Sequence, residues 1–311
     1  MDFDFLDNGD VSNISAEEEK KEQQRKKTFN GLCASEWAEL SRSVWNDVSS
    51  IRQKKHLVHG ATFPEKLCHR LIKMYSKKGD LVLDPFLGTG TTVIAAIKSN
   101  RNAIGIELTE RFFKVANESI LEVLKSEQPN LFNEFFLGQY KLYNGDCCEV
   151  LKQFDDSSVQ LTITSPPYAD LIHKVLLDRN KYHKNSVFVN ENNATTNLYS
   201  NDTRDLGNMD MEHYLNKVKQ IMIELFRITK PGGYNAWVVK DFRDTKNKIP
   251  YIDLHSKIAA IGEKAGYKYH DLIIWDQNQH RKLVLLGYPS VFYVNQNHSY
   301  IVIMRKPNDK S

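Results

Sequence analysis

Two short apolar runs in this chain each end in a stiff turn, and the pairing constrains the fold more than any other feature. Residues 81–83 run into Asp84-Pro85-Phe86-Leu87-Gly88-Thr89-Gly90-Thr91-Thr92, and residues 159–164 run into Ser165-Pro166-Pro167-Tyr168. A short apolar run closed by a turn and followed by a helix-period pattern is a buried strand feeding a helix. That is the repeating unit of a parallel α/β sheet. The same alternation recurs along the chain. Strands are predicted over 81–83, 103–106, 140–143, 159–164, 234–239, 269–275 and 299–304, and helices over 91–99, 111–125, 211–228 and 254–265. The expected fold is therefore a seven-stranded, mostly parallel α/β sheet. The last two strands have no helix between them, so they should pair antiparallel.

The sequence divides unevenly around this core. Residues 1–28 are polar, acidic up to Glu19 and basic from Lys20 to Lys27, and are expected to form a disordered or helical tail outside the core. The rest, 29–311, reads as a single domain. Lys230-Pro231-Gly232-Gly233 is a clear breaker ahead of one strand. Residues 172–204 lose all periodicity and are rich in Asn, Lys, His and Thr, and 276–297 gathers Gln277, Asn278, Gln279, His280 and Arg281. Both are candidate recognition insertions.

Ligands of an open α/β sheet bind beyond the carboxyl ends of its strands. Gly88 and Gly90 fall just after the first strand, where a missing side chain lets backbone approach a ligand, and Thr91-Thr92 open the next helix with free N–H groups. Glu107 at the end of the second strand is placed to accept two ribose hydroxyls. Asp146 at the end of the third is placed to meet an adenine amine, with Cys147 beside it. A nicotinamide enzyme would use similar geometry, but the third glycine of the dinucleotide fingerprint is absent. Asp84 would repel a pyrophosphate and suits the ammonium or sulfonium end of S-adenosylmethionine.

The second turn suits a nucleobase amine. Such an amine is a poor nucleophile because its lone pair is delocalised into the ring, so a site that alkylates it must hold its N–H groups. Ser165 offers a side-chain oxygen and Pro166 a carbonyl. Pro166 and Pro167 fix φ and carry no N–H, and Tyr168 offers a face on which a flipped base can stack.

Together these segments resemble the amino DNA methyltransferases, which modify cytosine N4 or adenine N6. The likeness runs from Val44-Trp45 to Lys306. It takes in His59-Gly60-Ala61-Thr62-Phe63-Pro64, similar to the family's segment for the methionine end of the donor, and the later elements Asp205-Leu206-Gly207-Asn208, 230–233 and 297–306. The resemblance implies a Rossmann-like S-adenosylmethionine-dependent methyltransferase sheet acting on double-stranded DNA after base flipping, by direct displacement without a metal. Ser at the first position of the catalytic tetrapeptide goes with cytosine N4 in that family, and Asp or Asn with adenine N6, so Ser165 implies cytosine. The resemblance implies either the host-protection half of a restriction–modification system, with a cognate endonuclease acting on the same site as partner, or a solitary genome-marking enzyme. It also implies that Phe63 and Phe86 pack against the donor. Adenine-N6 methylation, RNA base methylation and a catalytically silent DNA-binding protein are the alternatives. Two departures stand out: the donor segment precedes the catalytic motif, the reverse of many relatives, and Gly60 and Ser299 replace a usual Pro and Glu.

Bulk composition carries little of this. A net charge of +3 cannot support nucleic-acid binding by itself, so local clusters such as 52–56, 240–248, Arg281-Lys282 and Arg305-Lys306 would have to supply it. Cys33, Cys68, Cys147 and Cys148 lack zinc-ligand spacing and fit a reducing cytoplasm. No apolar run approaches the roughly 20 residues of a membrane span, and the acidic amino terminus argues against a secretory signal.

Overall fold

The structure is a computed structural model that describes residues 9–48, 64–126, 137–167, 202–244, 247–280, 283 and 290–308. Its centre is an eight-stranded sheet. The strands are β1 Val44–Trp45, β2 Leu81–Asp84, β3 Asn102–Glu107, β4 Tyr140–Asn144, β5 Val159–Thr164, β6 Thr229–Val239, β9 Lys268–Asp276 and β10 His298–Arg305. Across the sheet they lie in the order β1-β9-β10-β6-β5-β2-β3-β4. β10 alone runs against its neighbours, pairing antiparallel with both β6 and β9. The antiparallel partnership of the last two strands is as predicted. β2 pairs parallel with both β3 and β5, so the chain lays β3 and β4 on one side of β2 and the later strands on the other. The strand order therefore reverses between β2 and β5, where the two stiff turns emerge.

The seven expected strands form a contiguous body. The eighth, β1, adds to the far edge beside β9 through Val44↔Ile274 and Trp45↔Trp275. Two residues have no period to detect, but Trp45 is fully buried, its indole N–H donates to the Arg42 carbonyl, and Arg70 lies over its ring at 4.3 Å. A small separate hairpin, β7 Phe242–Asp244 with β8 Ile249–Ile252, follows β6. The 230–233 breaker lies inside β6 rather than before it. The strand tolerates it through an irregularity opposite residues 159–161, with Gly232 at φ 77°.

Alternation along each strand supplies two apolar layers, because successive side chains point to opposite faces. Val82, Leu161, Ile163, Ala236 and Ile301 pack on one face with α3 Glu65–Tyr75, α4 Thr91–Lys98 and α5 Glu110–Ser126. Leu83, Trp237, Val239 and Val302 pack on the other with α6 Cys147–Leu151, α7 Met211–Ile228 and α8 Leu254–Ala265. α7 and α8 start where Asp210 and Asp253 accept from His213 and Ser256 N–H groups, a side-chain cap for otherwise unpaired donors. Among the described residues no helix is long and apolar enough to cross a membrane.

Before the sheet lie α1 Gly9–Lys27 and α2 Ala34–Leu40. Arg25, in the last turn of α1, grips Glu36 of α2 with two N–H donors at 2.9 and 3.3 Å. Asn30 then donates to the Met74 carbonyl at 2.8 Å, and Phe29 stacks on Tyr234. Residues 9–27 are thus helical and are attached at their end by polar and ring contacts.

Candidate active site

The two turns leave neighbouring strands at the same edge of the sheet, and a single buried carboxylate joins them. Asp84 ends β2 and is 1% exposed. One of its oxygens accepts from the Thr92 hydroxyl at 2.6 Å, which fixes the start of α4. The other accepts from the Thr164 hydroxyl at 2.9 Å, immediately before Ser165, and from the Phe86 N–H at 3.1 Å. Burial raises its pKa to about 6, with the two hydroxyls and the N–H opposing that rise. Between Asp84 and α4 the backbone turns through Gly88 at φ 57° and Gly90 at φ 91°, left-handed conformations that favour glycine.

A cleft of about 700 Å³, counting its open mouth, lies beyond these turns. Phe86 after β2, Glu107 at the end of β3, Asp146 and Cys147 after β4, and Ser165, Pro166 and Pro167 after β5 all line it. Seven of the residues expected from sequence are therefore brought to one cavity. Glu107 is 8% exposed. Its oxygens accept from Gly88 N–H and Thr109 N–H, each at 2.9 Å, and each oxygen keeps a further lone pair. Burial raises its pKa to about 7 despite those two N–H groups, and the nearby Asp84 and Asp205 charges add to the rise. Asp146 caps α6 through the Cys148 N–H, and its second oxygen meets Lys217 at 3.3 Å.

Other expected donor contacts differ. Asp84 is not among the residues lining this cleft; its oxygens accept from two threonine hydroxyls and the Phe86 N–H, which positions the two turns. Gly88, Gly90, Thr91 and Thr92 are not among its lining residues either. Gly88 acts by holding Glu107, and Thr92 by holding Asp84. Phe63 and Tyr168 fall outside the described residues, as does most of 172–204.

Sequence reasoning missed the wall supplied by Arg204, Asp205 and Leu206, and Phe112 of α5. Asp205 is 4% exposed and accepts from Gly207 N–H at 2.8 Å, so an Asp-x-Gly turn aims a second carboxylate towards Glu107. That turn, just ahead of a capped helix, was the available signal. Glu107, Asp146 and Asp205 now oppose Lys217 and Arg204 around apolar walls from Phe86 and Phe112. This lining suits a cationic ligand with hydroxyls and an aromatic ring.

Fold and cleft together define an α/β protein with a ligand-sized cleft at a topological switch point. The chain belongs to the DNA methylase family of N6/N4 methyltransferases, whose family model matches residues 7–118 and 159–311. Similar proteins include the type II methyltransferase M.MthZI of Methanothermobacter thermautotrophicus, 41% identical over 36% of this chain and 32% of that protein. The type II methyltransferase M.BglI of Bacillus subtilis is 42% identical over 29% of this chain and 26% of that protein. The chain thus spans about a third or less of the length of these relatives. Among solved structures, TTHA0409 from Thermus thermophilus overlays with a TM-score of 0.35 and 26% identity, covering 54% of each chain.

The donor expected from sequence is S-adenosylmethionine, and the cleft's residues fit it. Glu107 has buried acceptor capacity for hydroxyls, and the carboxylates of Asp146 and Asp205 suit a ligand of net positive charge.

Two measurements test this geometry. Thr164→Val should cost about 1–3 kcal/mol in urea unfolding, because a buried carboxylate loses a donor, while Thr164→Ser should retain most of the stability. Donor affinity by calorimetry should fall as pH drops through about 7, where Glu107 takes up a proton and loses acceptor capacity. The fold should not weaken by that titration. The folded pKa lies above the ordinary 4.5, so the folded state binds this proton more readily than the unfolded chain, and stability from this group rises as pH falls across that window. Pro-rata loss of fold and affinity would remove Glu107 from the donor site.

Proposed function

We propose that this protein transfers a methyl group from S-adenosylmethionine to the exocyclic N4 amine of cytosine in double-stranded DNA. The observation that carries this reading is the shared cleft: Ser165, Pro166 and Pro167 line the same cavity as Glu107 and Asp146. Donor-side and target-side groups thus face one volume, as a direct transfer between two bound molecules requires. When bound, S-adenosylmethionine supplies an electrophilic methyl group on a sulfonium.

The residues of the chain do the rest by holding and orienting. The Ser165 hydroxyl and the Pro166 carbonyl accept the two N–H bonds of the amine, which draws the nitrogen out of conjugation and directs its lone pair. Ser165 is half-buried and Pro166 buried, so these acceptors sit where water competes poorly. Trp237 and Phe86 pack edge to face at 6.4 Å beneath the turn and stiffen it. Tyr168 is the proposed stacking face for the flipped base. Phe63 is a proposed donor contact, and Asp84 with Thr92 a proposed positioning pair. Glu107 takes the ribose hydroxyls, and Asp146 with Cys147 meets the adenine end.

The family covers both amines. Ser165 supports cytosine N4, and adenine N6 is the second reading. Recognition of the target sequence is assigned to 172–204 and 276–297, within a single 29–311 domain. A cytoplasmic setting and a cognate endonuclease are part of the same reading.

Nucleosides digested from DNA modified by the protein should contain N4-methylcytosine by mass spectrometry. N6-methyladenine alone would reassign the base, methylation of RNA alone would reassign the polymer, and donor binding without any methylation would indicate a silent binder. In single-turnover assays Ser165→Ala should lower the methylation rate by about 10² or more with donor affinity retained, the scale of losing one positioned polar group.

A further inference from the structure

Resting on that reading, the two donor-side acids of the cleft differ in what holds them. Glu107 and Asp146 stand at the ends of successive strands, and each of their carboxylate oxygens accepts a hydrogen bond. Glu107 is held by two backbone N–H groups, from Gly88 and Thr109, each at 2.9 Å. Asp146 has only one such support, the Cys148 N–H, which donates to Oδ1 at 2.9 Å. Its other oxygen is held by a side chain: the Lys217 ammonium of α7 lies 3.3 Å from Oδ2.

Lys217 reaches this oxygen from 71 residues further along the chain. Tyr214, Val218 and Ile221, its neighbours on α7, are fully buried, and only 22% of its own side chain is exposed. Residues three and four apart share a helix face, so Lys217 borders the packed face of α7. Burying an ammonium in such a place is costly unless it is paired. Burial lowers its pKa, but Cys148 and Asp146 beside it outweigh that and raise it above the ordinary lysine value. The lysine is therefore charged, and its charge is directed at an acid of the cleft.

The pairing completes the geometry of Asp146. A carboxylate held at one oxygen can still turn about its Cβ–Cγ bond, a torsion with broad wells. Held at both oxygens, its plane is fixed and the remaining lone pairs have a set direction. Asp146 lines the cleft with a side chain only 9% exposed, so those lone pairs serve a bound molecule in preference to bulk water.

We infer that Lys217 is a positioning residue for the adenine of the donor: it fixes the Asp146 carboxylate as an acceptor, so that the cleft takes a purine with an exocyclic amine and disfavours one with a carbonyl oxygen in its place. A lysine that only tied α7 to α6 would stabilise the fold equally well but would leave this choice of ligand unchanged.

Ligand choice therefore separates the two roles. Calorimetry compares S-adenosylhomocysteine, which carries the amine, with S-inosylhomocysteine, which carries a carbonyl instead. Wild-type protein should prefer the first by about tenfold or more, the scale of one charge-assisted hydrogen bond. Lys217→Met should weaken S-adenosylhomocysteine binding and bring the two ligands within about threefold of each other, because the acceptor is no longer held. Lys217→Arg, which can still meet Oδ2, should keep the wild-type preference. Where circular dichroism shows Lys217→Met unfolded, Lys217→Leu is scored in its place. A wild-type preference that survives in the folded charge-removed variant overturns the inference and leaves the donor reading intact. Equal binding of the two ligands by wild-type protein would instead remove Asp146 from the adenine end and overturn the reading beneath it.

Discussion

The site depends on one buried carboxylate between two hydroxyls. Asp84 ends the central strand and binds Thr92 on its own side of the switch point and Thr164 on the other. A charge placed at 1% exposure is tolerated only when its lone pairs are filled. That requirement ties the start of α4 and the start of the catalytic turn to one small group. Donor and target sides are therefore set relative to each other by hydrogen bonds shorter than 3 Å. Sheet pairing alone would leave Ser165, one residue past the end of β5, free to swing.

The same burial shapes the electrostatics of the cleft. Desolvation drives Glu107 towards a neutral carboxyl, and Asp84 and Asp205 push in the same direction. A ligand that brings hydroxyl donors and positive charge reverses both effects, because it hydrogen-bonds and neutralises the ionised form. The cleft is thus built to be less comfortable empty than filled. Lys217 is committed to Asp146 and Arg204 to Asp202.

Much of the architecture was legible because strands buried on both faces are near-continuous apolar runs between turn residues. The seven strands and the antiparallel final pair followed from that pattern. β1 escaped because two residues carry no period, and α6 because Cys147–Leu151 is barely one turn longer than its cap. The hairpin of β7 and β8 was hidden inside a stretch that reads simply as basic. In the site, Phe86, Glu107, Asp146, Cys147, Ser165, Pro166 and Pro167 could be placed because each follows a strand end. Sequence places Asp84 at a strand end but does not reveal that the Thr92 and Thr164 hydroxyls hold its oxygens. Asp205 belongs to no strand, and only the packing of α7 brings it to the cleft.

β6 runs two residues past the partner of Thr164, about 7 Å at strand spacing, so its neighbours at that edge can reach beyond the point where the Ser165 turn leaves β5.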